Sequence, residues 1–137
     1  MRQIIRACAI GYCVATLAGG ADAADVNGAW ASSPQACGEV FVSEGSKASF
    51  RLGSGLYGNG FIIDGRRIRG RTADCTISRK KETGALVHII ANCATDIMFS
   101  SVEFSLKIID DNTVARIYPG MGDMETTYYR CTGGTGQ

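Results

Sequence analysis

The chain has 137 residues, six cysteines and one histidine, and its 14 basic residues face 13 acidic ones for a formal net charge of +1. That length holds one ordinary domain, and the charge balance gives no basis for a globally basic nucleic-acid binder. One histidine and no Cys-x-x-Cys pair are too few ligands for a zinc site, so no metal or other cofactor is expected.

Residues 1–23 read as a secretory signal peptide. Arg2 and Arg6 form the charged start, Ile10 to Ala18 is short and apolar, and Ala21-Asp22-Ala23 is a small-x-small cleavage site. No later stretch approaches the roughly 18 apolar residues of a membrane span, so no transmembrane segment is expected. Cleavage after Ala23 leaves 114 residues with 12 basic and 12 acidic side chains. The expected destination is the periplasm or the outside of the cell, with one domain over 24–131 and a flexible tail over 132–137.

Cys37, Cys75, Cys93 and Cys131 then remain, and an even count in an exported chain argues for disulfides. The stretch from Asp74 to Ala94 selects the pairing. Read as a hairpin turning at Thr83-Gly84-Ala85, it sets Cys75 opposite Cys93 and leaves Cys37 for Cys131. Ile77, Val87, Ile89 and Ala91 share the cysteines' apolar face, while Thr76, Ser78, Lys80, His88 and Asn92 lie on the other.

Asn27-Gly28-Ala29-Trp30-Ala31 opens the mature chain with its only tryptophan, read here as a structural core plug. A G-x-W in this position resembles the first motif of lipocalin-like barrels. The run from Gly28 through Cys37 to Phe41 is also similar to the opening of small bacterial barrels that inhibit secreted metalloproteases. The first resemblance implies a barrel carrying a small apolar ligand, closed by the tryptophan under an arginine from a late strand, for which Arg116 is the candidate. The second implies protease inhibition through a free N-terminal arm, here only Ala24 to Asn27.

Further along, Glu39 to Ser43 and Lys47 to Leu52 read as strands joined at Glu44-Gly45-Ser46. Gly53-Ser54-Gly55-Leu56-Tyr57-Gly58 has the letters of a dinucleotide fingerprint, but a strand follows where a helix is required, so it reads as a loop. Phe61 to Arg71 is a hairpin about Asp64-Gly65, pairing Phe61 with Ile68 and setting Arg67, Arg69 and Arg71 on the outer face. Lys80 projects outward beside them. Seven basic residues and one acidic residue between 66 and 81 concentrate positive charge here, enough to steer an anionic partner.

Val102 to Ile109 alternates, with Val102, Phe104, Leu106 and Ile108 on one face. A turn at Asp111-Asn112 pairs Ile108 with Ala115 and Leu106 with Ile117, which directs Arg116 outward. Pro119 to Glu125 is a loop, and Thr126 to Cys131 is the last strand, with Thr127 and Tyr129 on the cysteine's face.

Turns recurring about every 8 to 12 residues, with no long amphipathic helix, predict an all-β fold: a small antiparallel up-and-down barrel of about eight strands with two disulfides. With Phe61, Ile77, Ile89, Phe104, Leu106, Ile117 and Tyr129 inward, such a barrel is filled by its own side chains. His88 has no base, nucleophile or aspartate placed beside it, so no catalytic residue is assigned and no enzyme activity is expected. The sequence therefore favours a monomeric binding module of the bacterial envelope. Its partner would be an envelope protein or anionic polymer held at Arg67, Arg69, Arg71 and Lys80, with a small apolar ligand as the alternative.

Overall fold

The computed structural model describes residues 24–56, 59–122 and 124–131. The signal peptide and the flexible tail expected from sequence lie outside the described residues. Among the described residues ten strands form: β1 (Gly28–Ala31), β2 (Phe41–Glu44), β3 (Lys47–Phe50), β4 (Gly60–Asp64), β5 (Arg67–Arg69), β6 (Asp74–Thr83), β7 (Leu86–Ala94), β8 (Phe99–Asp110), β9 (Thr113–Ile117) and β10 (Glu125–Cys131). Eight of them close an antiparallel barrel in the order β1-β10-β9-β8-β7-β6-β5-β4, as the sequence predicts. Closure leaves no unpaired edge in this sheet.

The meander is interrupted once. β2 and β3 pair only with each other, so β1 closes the barrel directly against β4, with Ala31 opposite Gly60. The strand expected from Glu39 instead starts at Phe41, because Cys37–Val40 forms one helical turn, α1. Together α1 and the β2–β3 hairpin cover the outside of the barrel and bury Val40 and Phe41 against Ala29, Ala31 and Ile62. This outer layer explains why Phe61-Ile62-Ile63 is apolar throughout: Ile63 faces the interior cluster and Ile62 the outer one.

Gly60 sits where the two layers come closest. A Cβ there would lie 2.7 Å from the Trp30 carbonyl oxygen and 2.8 Å from Phe41 Cζ. The backbone oxygen cannot swing aside, so Gly60→Ala is expected to cost about 1–3 kcal/mol as overpacking, read as a lower urea midpoint at unchanged m-value.

Three hairpin registers differ from those counted off the turns. In β4–β5 the turn is Gly65-Arg66, and Ile63 rather than Phe61 opposes Ile68; the faces are unchanged because the shift is two residues. In β6–β7, Cys75 does oppose Cys93, but Thr83 pairs with Leu86, and an irregularity between Ile77 and Arg79 absorbs the difference. That bulge brings Lys80 opposite Ile89, on the inward-facing side, rather than outward beside the arginines. In β8–β9 a second bulge at Ile109 sets Ile108 opposite Val114 and Leu106 opposite Arg116. Arg116 therefore faces inward, not outward, and Ile117 changes places with it. By the same alternation Tyr128 rather than Tyr129 turns inward on β10, where it is buried.

Two disulfides form with the predicted pairing, Cys37–Cys131 and Cys75–Cys93. They fit an oxidising compartment, periplasmic or extracellular. Among the described residues no helix is long and apolar enough to cross a membrane.

Candidate functional site

One end of the barrel is shut. Trp30 is 1 % exposed, its indole Nε1 donates to the Val26 carbonyl at 3.0 Å, and the Arg130 guanidinium lies 4.4 Å from its ring centroid. Arg130 also donates to the carbonyls of Asp25, Asn27 and Asp111, tying Ala24–Asn27 across the base. The Asp25 carboxyl sits below its usual range chiefly because it accepts from the Asn27 backbone N–H, with Arg130 and Lys80 adding positive charge nearby. Gly28 enters the first strand at a φ of 125°, and a Cβ there would meet Arg130 Nη1 at 3.1 Å. So the late-strand arginine over the tryptophan is Arg130, and the candidate named from sequence, Arg116, lies elsewhere.

The interior above Trp30 is not filled. A cavity of about 460 Å³ occupies the upper barrel and opens where β5 meets β6, β7 meets β8 and β9 meets β10. Its apolar wall includes Phe61, Ile63, Ile68, Ile89, Val102 and Leu106, and the Cys75–Cys93 bridge forms part of it. Such a volume lies within the about 300–1,000 Å³ of small-molecule pockets.

Its polar lining lies toward the mouth, with Asn59, Arg71, Thr72, Thr95 and Ser100 on the loops and strand ends and Arg116, Tyr118 and Tyr128 on the β9–β10 side. Arg116 projects into the cavity with its guanidinium carbon 4.6 Å from the Phe104 ring centroid and 4.9 Å from that of Tyr118. Facing rings attract a cation and hold the planar guanidinium in place. Tyr128 stands alongside, edge-on to Phe61 with centroids 4.9 Å apart. Burial pushes the Tyr128 hydroxyl above the ordinary tyrosine range, and the Tyr118 phenol beside it acts in the same direction. At neutral pH the Tyr128 phenol therefore stays protonated and able to donate. Among the described residues no carboxylate lies within ion-pair distance of Arg116.

The loops at the mouth carry apolar side chains into solvent: Leu56 is 88 % exposed and Ile97 89 %, with Met98, Phe99, Met121 and Met124 also exposed. The rim of the mouth thus combines exposed apolar side chains with the polar Asn59, Arg71 and Thr72.

The four basic residues singled out from sequence do not share one surface. Arg67 pairs with Asp74 at 2.6 Å, and Arg69 is half-buried and donates to the Ala48 carbonyl of the outer hairpin. Arg71 reaches Asn59 at the cavity mouth, while Lys80 pairs with Glu82 at 3.2 Å. Arg69 also lines an outer groove of about 480 Å³ with Lys47 and Asp64, so that groove carries both signs of charge.

His88 has a partner that sequence reading missed. Its Nδ1 lies 3.1 Å from Ser105 Oγ across β7 and β8, on the outside of the barrel. Ser105 is buried, and among the described residues no carboxylate hydrogen-bonds to the imidazole. Among the described residues no group of three or more His, Cys, Asp or Glu side chains is placed to hold a metal ion.

Fold and cavity together describe a closed eight-stranded barrel with one plugged end and one open end. No family model, curated protein or solved structure matches this chain.

Proposed function

We propose that this protein is a non-enzymatic binding protein of the periplasm or cell exterior that holds a small, mostly apolar molecule inside its barrel. The open, apolar-walled cavity of about 460 Å³ carries the reading. Burial of ligand surface against such a wall contributes roughly 25 cal/mol per Å² before ordering costs are counted. The tryptophan plug with Arg130 across it supports the lipocalin-like resemblance, since it supplies the late-strand arginine that the motif implies.

The surface-recognition reading has less support. It leans on a filled interior and a common row of cations, whereas the interior is open and three of the four cations hydrogen-bond to groups on neighbouring strands or loops. Protease inhibition calls for a free arm, and Ala24–Asn27 is tied down by Arg130 and Trp30.

Titration of the oxidised, folded protein with the neutral dye N-phenyl-1-naphthylamine tests the proposal. Saturable fluorescence enhancement is expected, with at least a tenfold loss of affinity in Val102→Trp, which fills the cavity from its wall. A folded wild type that takes up no dye would overturn it.

A further inference from the structure

The apolar wall accounts for a ligand's hydrocarbon part, but Arg116 is superfluous to that. An arginine directed into an apolar cavity loses hydration, and a chain that needed only an apolar pocket would place an aliphatic residue there. Alternation shows how easily this could be done: Ile117 is the next residue, and an unbulged β8–β9 pairing would have turned it inward. Instead the bulge brings a cation inside, where Phe104 and Tyr118 orient it without neutralising it.

Resting on the reading that the barrel interior holds a small ligand, we propose that this ligand is an amphiphile with a single carboxylate, whose acid group binds Arg116. A guanidinium presents parallel N–H donors that match the two oxygens of a carboxylate. Tyr118 and Tyr128 supply further hydroxyl donors on the same side of the cavity. Position along the axis sets the orientation. Arg116 opposes Thr126 one residue from the mouth end of β9, whereas Ile63, Ile68 and Ile89 lie toward the plugged end. The carboxylate therefore sits near the mouth and the hydrocarbon part points down toward Trp30. A monoanion suits the site because Arg116 is the cation set within the barrel, while Arg71, the other arginine of the cavity lining, stands at the mouth against Asn59.

The test displaces N-phenyl-1-naphthylamine with dodecanoate and, in parallel, with its neutral counterpart dodecanol, both below their aggregation limits. Wild type, Arg116→Gln and Arg116→Lys are compared after circular dichroism has shown each to be folded. Dodecanoate is expected to displace the dye from wild type at a concentration at least tenfold lower than dodecanol. In Arg116→Gln that preference is lost, with dodecanoate weakened relative to both dodecanol and dye, and Arg116→Lys recovers part of it. A merely structural arginine would shift all three ligands together. Equal displacement by acid and alcohol in wild type, or a preference that survives Arg116→Gln, would overturn the carboxylate assignment and leave the interior-ligand reading standing. Failure of the dye itself to enter folded wild type would overturn both.

Discussion

Trp30→Ala is expected to lower stability by about 3–5 kcal/mol, the range for deleting a large aromatic from a packed core. Three contacts vanish at once. The ring is the buried plug between Phe61 and Arg130, its Nε1–H satisfies the Val26 carbonyl, and its face carries the Arg130 guanidinium. Arg130 would keep its backbone acceptors but lose the surface it lies on, and Val26 would lose both its hydrogen bond and its anchor to the base. Trp30→Phe should recover part of the loss, because it restores ring volume without the N–H donor. Urea unfolding of the three proteins measures this. A loss below about 1 kcal/mol for Trp30→Ala, smaller than a single well-made hydrogen bond and its packing, would mean that the base is closed by something other than the indole.

How far the sequence foretold the fold depends on where the alternation was clean. Cys75 and Cys93 found their register because two cysteines, a glycine turn and four alternating apolar residues agree on it. Closure into about eight strands followed from the recurrence of turns. The site was harder to see for one physical reason: counting a register outward from a turn assumes no bulge, and a single bulge sends every later side chain to the opposite face. In β8 the warning is the pair Ile108-Ile109, two adjacent apolar residues in a strand that otherwise alternates; Ile109 is the one expelled to solvent. In β6 there is no comparable signal, because Arg79, Lys80 and Lys81 follow the last core residue and a run of charges reads the same in either phase. Arg130 is within reach of the sequence as the tryptophan's partner, since it stands on the last strand beside Cys131, whereas Arg116 lies one strand earlier. The outer layer of α1, β2 and β3 escaped because its segments read as barrel strands, and only Ile62, apolar on a face expected to be solvated, hinted that something covers it.

The two disulfides should differ in what their loss does. Cys37–Cys131 spans 94 residues and Cys75–Cys93 spans 18, so loop entropy alone assigns them about 4–5 and about 3 kcal/mol respectively. Local structure widens that gap. Nine residue pairs and a two-residue turn already hold Cys75 opposite Cys93, so the unfolded chain there is partly restrained by its own hairpin preference. Cys37 has no such support. It ties the outer layer to the last strand, beside the β1–β10 seam where the barrel closes, and β1 contributes only three residue pairs to that seam. Cys37→Ala/Cys131→Ala is therefore expected to lower the urea midpoint more than Cys75→Ala/Cys93→Ala, both read against the oxidised wild type; the reverse order would show that seam closure does not depend on the bridge. Ligand binding should rank them the other way. Cys75 and Cys93 line the cavity and Cys37 does not, so under conditions where both variants are folded the dye affinity should change in the less destabilised one and stay near wild type in the other.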